Sequence, residues 1–319
     1  MKILVTGCAG FIGFHLCNSL IKKKNVSVIG LDNINSYYSV KLKKLRLRIL
    51  KKSKKFNFTK IDISDYQKLE KIFSKNKIDL IVNLAAQAGV RYSVKNPKDY
   101  VYSNILGFYN ILELSRCYNI KKIFYASSSS VYGEQKKFPV REKQKLIPKN
   151  IYSLSKKHNE ELAELYQKYY GLKLLGLRFF TVYGEWGRPD MLMLKYMIAK
   201  KNNKKFILNN EGNHYRDFTY IKDVTAILLK LIFSKMTKTH DVVNICSNRP
   251  ANVKKILTQL DRLYGKPRIQ NQKRLSIEVF KTHGSNSKIK KMIKFSSFTS
   301  LDTGIINLTN WAKKYLSKI

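Results

Sequence analysis

Acidic side chains are scarce. The 319 residues hold 21 Asp and Glu against 62 Lys and Arg, a net charge of +41. Taken alone, that imbalance suits a polyanionic partner such as nucleic acid or an anionic membrane. Its distribution argues otherwise. The excess is mostly Lys, spread along the whole chain, and Lys, Asn, Ile and Tyr are abundant together, as AT-rich coding gives. Recognition of phosphate planes favours Arg. The densest basic run, Lys41 to Lys55, carries Leu42, Leu45, Leu47, Ile49 and Leu50 among its charges and reads as a solvated helix with one buried stripe. No nucleic-acid partner is expected. Cysteine is scarce too. Cys8, Cys17, Cys117 and Cys246 form no Cys-x-x-Cys pair and lie near no His pair, which speaks against a disulfide framework and a metal site and fits a reducing compartment. Long apolar runs are also missing. The N-terminal "ILVTGCAGFIGFHLCNSLI" imitates a secretory h-region, but it contains three evenly spaced glycines, His15 and Asn18, and no basic n-region of any length. No other stretch approaches membrane length, so a cytoplasmic chain with no membrane partner is expected. There are no internal repeats and no low-complexity linker.

What is present is an ordinary globular profile, 44% hydrophobic and 12% aromatic, long enough for one large core or two domains sharing a cleft. Short apolar runs alternate with helical patterns. Strands are expected at Lys2 to Thr6, Val26 to Asp32, Phe56 to Ile63, Ile78 to Ala86, Lys121 to Ser130 and Leu172 to Phe180. Helices are expected at Phe11 to Lys24, Tyr66 to Lys75, Lys98 to Cys117 and Tyr152 to Tyr170. This alternation predicts an α/β fold with right-handed crossovers and a doubly wound parallel sheet covered on both faces. The order loosens after Phe180, and the pattern is weak from Lys266 to Ser297. The expected division is a nucleotide-binding domain over 1–180, with 219–246 returning to its sheet, and a smaller mixed C-terminal substrate domain over 181–319. The segment Tyr100 to Leu114 and, less strongly, the Tyr152 helix are apolar on more than one face. That surplus predicts a homodimer contact.

"TGCAGFIG" (Thr6 to Gly13) closes the first strand and opens the first helix. Gly7, Gly10 and Gly13 stand three apart, which permits a tight turn, lets backbone N–H groups approach a pyrophosphate, and lets the helix pack close to the sheet. Asp32 ends the next strand. A carboxylate there hydrogen-bonds the adenosine ribose 2′-hydroxyl and repels a 2′-phosphate, so NAD is expected rather than NADP. "YASSSSVYG" (Tyr125 to Gly133) ends another strand at the edge where ligands of such sheets bind. Tyr152 and Lys156 lie one helical turn apart on a shared face. A phenol titrates near 10, too high for a base at neutral pH; the Lys156 ammonium and the nicotinamide charge are expected to favour its phenolate. A serine hydroxyl bridging phenol and substrate completes a set able to take a proton from an alcohol while its hydride leaves.

In combination these residues resemble the extended short-chain dehydrogenase/reductase superfamily, specifically its nucleotide-sugar epimerases. The glycine motif, "NLAAQAGV", "SNILGFYNILE", "SSSSVYG", "YSLSK" and "RDFTYIKDV" stand in family order over Met1 to Thr225. "GFIGFHL", "GLDNINSYY", "AAQAGVRYS", "LRFFTVYGEWGRPDM" and "RDFTY" are most similar to UDP-glucuronate 4-epimerases. The resemblance implies a Rossmann domain in which Gly7, Gly10, Phe11, Ile12 and Gly13 cradle the NAD pyrophosphate. Asp32 and Asn33 would hold the ribose, Asp62 and Ile63 flank adenine, Leu84, Ala85, Ala86 and Gln87 line the cofactor, and Asn104 face it. Ser128, or Ser129 one residue on, is implied as the catalytic serine, Tyr152 as the acid/base, and Lys156 as a ligand of the nicotinamide ribose too. Gln87, Ser128, Ser129, Thr181, Arg188 and Arg216 are implied substrate contacts, Arg188 for a uronate carboxylate and Arg216 for the UDP phosphates.

Rival readings are epimerases of UDP-glucose or UDP-N-acetylglucosamine, UDP-glucuronate decarboxylases, and a non-catalytic NAD-sensing or nucleic-acid-binding protein. Related dehydratases place an acidic pair after the serine, and decarboxylases a Glu before "VYG". Ser129 and Ser130 stand there here, which favours epimerisation. Two departures are visible. Glu185 replaces the Pro usual in this subgroup, and Arg274 to Phe295 lacks the Pro-rich, Gly-Asp-containing stretch that helps cover the nucleotide in the family.

Overall fold

The computed structural model describes residues 1–235, 239–273 and 275–318. Twelve strands are defined there: β1 (Lys2–Thr6), β2 (Ser27–Asp32), β3 (Phe56–Lys60), β4 (Leu80–Asn83), β5 (Lys122–Ser128), β6 (Lys173–Phe179), β7 (Thr181–Tyr183), β8 (Lys205–Asn209), β9 (Tyr215–Tyr220), β10 (His240–Ile245), β11 (Pro250–Asn252) and β12 (Arg268–Gln272). Seven of them form a single parallel sheet in the order β10-β6-β5-β4-β1-β2-β3. The chain runs outward through β2 and β3, returns to β4 on the other side of β1, and continues outward to β10. The order therefore reverses between β1 and β4, and ligands of open parallel sheets bind beyond the strand ends at such a reversal.

The central strands are continuous apolar runs because both of their faces are covered. Ile3, Val5, Val82 and Leu177 belong to one core cluster, with Phe14 and Leu16 of helix Phe11–Leu20, Leu47 of Val40–Leu50, and Ile227 and Leu228 of Ile221–Phe233. Leu4, Ile81, Ile123 and Leu174 point the other way, into a cluster with Leu69 and Phe73 of Tyr66–Ser74, Ile111 and Leu112 of Gly107–Cys117, and Ala163 and Tyr166 of Ile151–Tyr170. The alternation of side-chain direction along a strand assigns successive residues to the two layers.

β10 pairs with β6 at one edge of the large sheet. β7, β9 and β11 make a mixed three-stranded sheet, and β8 pairs with β12. The pattern-poor stretch after Lys266 thus supplies β12 and the helix Ser287–Ile293. The expected single helix over 98–117 is broken. Pro97–Tyr100 leads into a π-helical turn, Val101–Leu106, before Gly107–Cys117 resumes the α geometry. Among the described residues no helix is long and apolar enough to cross a membrane.

Candidate active site

A cavity of about 490 Å³ opens at the C-terminal edge of the large sheet, at the reversal between β1 and β4. Every residue singled out from sequence lines it except Asn104. The glycine turn forms its floor. A Cβ on Gly13 would stand 2.1 Å from the Gly7 carbonyl oxygen, and one on Gly10 2.9 Å from the same atom. The turn can therefore carry no side chains at these points. No side chain caps the helix that follows, so its first amides and the positive end of its dipole face the cavity unshielded. Asp32 accepts the Ala9 and Ile34 N–H groups at 3.0 and 2.8 Å, and the Asn33 amide donates to Asp62 at 2.8 Å. Burial alone would push Asp62 upward; hydrogen bonds from Ser64 and Asn33 outweigh it and hold the carboxyl below its usual range.

The Tyr152 helix is fixed at its start. The Asn150 side chain accepts the Ser153 N–H at 2.9 Å, while the Ser153 hydroxyl accepts the Asn150 N–H at 3.1 Å. Such a reciprocal cap stabilises a helix by about 1 kcal/mol, and here it pins the first turn, where Tyr152 sits. Tyr152 packs edge-on against Tyr100, with ring centroids 6.0 Å apart, and lines the cavity together with Ser128. The Ser130 hydroxyl donates to Ser128 at 2.9 Å, so the β5 terminus holds the Ser128 hydroxyl in place. Lys156 is buried and donates to the Ala126 carbonyl at 2.9 Å.

Burial raises Tyr152 above its ordinary value, against the lowering influence of the Ser128 hydroxyl and the Arg188 charge. Burial also pulls Lys156 down to about 8, with Glu160 opposing. Glu160 is engaged by Arg178 through a bidentate pair at 2.8 and 2.6 Å, and it accepts the Ser127 hydroxyl at 2.5 Å.

Asn104 stands behind the wall rather than in it. It is buried in the π-helical turn, accepts the Gln87 N–H at 2.8 Å, and donates to the Gln87 carbonyl at 3.1 Å and to Ser155 Oγ at 2.9 Å. The extra residue of a π turn rotates a side chain away from the α register, and the sequence pattern shows no such turn. Arg216 lines the cavity, but its guanidinium donates to the carbonyls of Tyr215, Val279 and Phe280. Thr181 lines it at the start of β7.

Sequence reasoning missed several contributors. Asn35, Tyr37, Tyr38 and Lys43 line the cavity from the segment after Asn33. Lys43 and Arg46 lie in the run read as solvated, yet both are buried. Arg46 donates to the carbonyls of Ala9, Trp186 and Gly187 at 2.8, 2.5 and 3.0 Å, tying the glycine turn to the loop that carries Arg188. Glu185 accepts the Tyr220 hydroxyl on both oxygens at 2.8 Å, and its carbonyl meets His15 Nε2 at 2.9 Å; it anchors that same loop. Ile277, Glu278, Val279 and Thr282 of the atypical stretch do cover the cavity. Arg274, where that stretch begins, lies outside the described residues.

A bare glycine turn, an acidic strand end and a Ser-Tyr-Lys set around one cavity define a dinucleotide-dependent enzyme acting on a carbinol. The NAD dependent epimerase/dehydratase family model matches residues 3–246, and the chain belongs to that family. Protein CapI of Staphylococcus aureus is 39% identical over the full length of both chains. The UDP-glucuronate 4-epimerase of Thermodesulfobacterium geofontis is 37% identical, over 99% of this chain and 97% of its own. The crystal structure of the Bacillus cereus UDP-glucuronic acid 4-epimerase in complex with UDP-glucuronic acid and NAD superposes with a TM-score of 0.93 at 32% identity, covering 98% of this chain and 99% of that one. The glycine turn with its uncapped amides and Asp32 fit NAD as the cofactor.

Proposed function

We propose that the protein inverts C4 of UDP-glucuronate, giving UDP-galacturonate. The observation that carries the reading is the joint placement of Ser128, Tyr152 and Arg188 around one cavity with the glycine turn and Asp32. Gly7, Gly10, Phe11, Ile12 and Gly13 hold the pyrophosphate, Asp32 and Asn33 the ribose, Asp62 and Ile63 the adenine, and Leu84 to Gln87 the inner wall. Asn104 acts through Gln87 and Ser155. Residues 1–180 with 219–246 form the nucleotide-binding unit, and the remainder of the chain covers the sugar nucleotide.

NAD, when bound, supplies the acceptor and later the donor of the C4 hydride, and its ring charge adds to the lowering influences on Tyr152. Tyr152 takes the 4-hydroxyl proton and returns it once the 4-keto sugar has presented its other face. Ser128, which lines the cavity with Tyr152, orients the reacting hydroxyl. Ser129 lines the same edge and contacts the sugar. Lys156 holds the nicotinamide ribose and keeps the β5 end in place through Ala126. Arg188 and Thr181 face the uronate end. Arg216 braces the 277–282 cover through its carbonyls and directs its charge at the UDP phosphates.

The test is direct. The purified protein should convert UDP-glucuronate to UDP-galacturonate, with UDP-glucose and UDP-N-acetylglucosamine as competing substrates. Arg188→Ala should lower kcat/KM for UDP-glucuronate by about 100-fold, the scale of a lost charge-assisted contact to a carboxylate. Conversion of a neutral sugar nucleotide in preference to the uronate, or a pentose as the sole product, would refute the assignment.

The two helices expected to be apolar on several faces leave Val101, Tyr102, Tyr109, Leu154, Leu165 and Tyr169 exposed. We propose that these side chains pack against a second copy. Light scattering should give twice the chain mass, and Leu154→Glu with Tyr109→Glu should give the chain mass alone. A monomeric parent would dispose of this assembly.

A further inference from the structure

Arg188 lines the cavity, and its guanidinium is gripped along one edge. Nε donates to Asp190 Oδ1 at 3.0 Å and Nη2 to Asp190 Oδ2 at 2.5 Å. Tyr37 reaches this pair across the cleft from the segment after β2. Its hydroxyl donates to Asp190 Oδ2 at 3.0 Å and accepts from Nη2 at 3.3 Å, and the guanidinium lies 5.5 Å from its ring centroid. Gly89 makes room for it, since a Cβ there would lie 2.3 Å from the Tyr37 hydroxyl. Both Asp190 oxygens are thereby occupied, and Asp190 is not part of the cavity lining. Arg188 bonds through Nε and Nη2, and its Nη1 has no hydrogen-bond partner among the described residues.

We propose that Asp190 and Tyr37 are the positioning residues of the uronate subsite: they hold Arg188 by its Nε/Nη2 edge and leave Nη1 for the sugar carboxylate. The inference rests on the uronate reading above. A guanidinium is planar and rigid, so fixing one edge fixes the direction of the N–H bonds on the other. That direction matters because the 4-keto uronate is a β-keto acid. It loses CO2 when its C5–C6 bond stands perpendicular to the C4 carbonyl plane. A carboxylate held by a fixed donor keeps that bond out of alignment; a swivelling donor does not. In the side reaction the C5–C6 bond breaks, and its electron pair forms the C4 enolate as CO2 leaves. The proton first taken from the 4-hydroxyl returns at C5. Two electrons remain as NADH, so each CO2 is matched by one UDP-4-ketopentose and one NADH.

The experiment uses the NAD-loaded enzyme with UDP-glucuronate, separating nucleotide sugars by chromatography and following NADH by absorbance. Asp190→Asn removes the charge and half of the fork; Tyr37→Phe removes only a hydroxyl and is the gentler change. In Asp190→Asn the ratio of ketopentose to UDP-galacturonate should rise about tenfold, the scale expected when a positioning contact is loosened. Tyr37→Phe should move it the same way by about threefold. A merely structural role would lower activity without moving the product ratio. An unchanged ratio in both variants overturns the inference, whether or not the rate falls. A parent that forms no UDP-galacturonate overturns the uronate reading itself, and this inference with it.

Discussion

Tyr152→Phe should epimerise UDP-glucuronate about 10³-fold more slowly than the parent while retaining NAD and the parent's melting temperature. The substitution keeps the ring and its edge-on packing against Tyr100 and removes only the hydroxyl. Tyr152 lies within the first turn of a helix whose start is fixed by Asn150 and Ser153, so backbone placement survives the change. In the proposed mechanism this removes the acid/base group from both halves of a turnover, when the proton leaves and when it returns. Positioned general acid–base catalysis contributes about 10² to 10⁴-fold, which sets the scale of the expected loss. Ser128→Ala should cost less, because water can bridge phenol and sugar. A loss below tenfold in Tyr152→Phe would mean that the proton passes elsewhere, and the roles assigned to Ser128 and Arg188 would then need a different acceptor.

How much of this was legible in the sequence depends on how local each cause is. The strand, glycine turn and helix from Lys2 to Leu20 are a local matter: an apolar run, residues without Cβ where the backbone crowds itself, and a periodic stripe. Tyr152 and Lys156 share a face because of helical spacing, and sequence suffices for that. The burial of Lys43 and Arg46 cannot be read this way. Charges in an amphipathic run look solvated, and Arg46 is buried only because the carbonyls of Trp186 and Gly187, about 140 positions further along, come to meet it. Asn104 was legible as a residue and not as a direction, since the π turn that carries it has no compositional mark. The cover from Ile277 to Thr282 works partly through backbone carbonyls, which receive Arg216 from the Val279 and Phe280 positions whatever side chains stand there. A stretch that lost the family's expected residues can still close the cavity for that reason. The same holds for Glu185, whose carboxylate finds Tyr220 in a fold-dependent contact that a Pro could not make.

Lys156→Met should unfold at a higher temperature than the parent at pH 7 and yet lose at least about 100-fold in activity. Burial sets the Lys156 ammonium at about 8, below its ordinary value of 10.5. A base whose folded value is lowered gives up its proton more readily in the folded chain than in the unfolded one. Below pH 8 both states are protonated, and the folded state carries the full cost of a buried charge. Between about pH 8 and 10.5 the unfolded chain binds more protons, so stability rises with pH. The gap corresponds to about 3 kcal/mol, an upper figure, because the Ala126 carbonyl also loses its donor in the variant. Met matches the straight apolar stem and brings no charge, so a gain of about 1 to 3 kcal/mol at pH 7 is expected, a few degrees for a chain of this size. Above pH 10.5 the parent's lysine is neutral in both states and the difference should shrink toward zero. Thermal melts of both proteins at pH 7 and at pH 10.5 check the sign. A variant less stable than the parent at pH 7, or a difference that does not shrink with pH, would show that the ammonium is a net structural asset held by Ala126 and Glu160. Stabilisation confined to the acidic side, together with lost turnover, would show that the site keeps a costly charge because the reaction requires it.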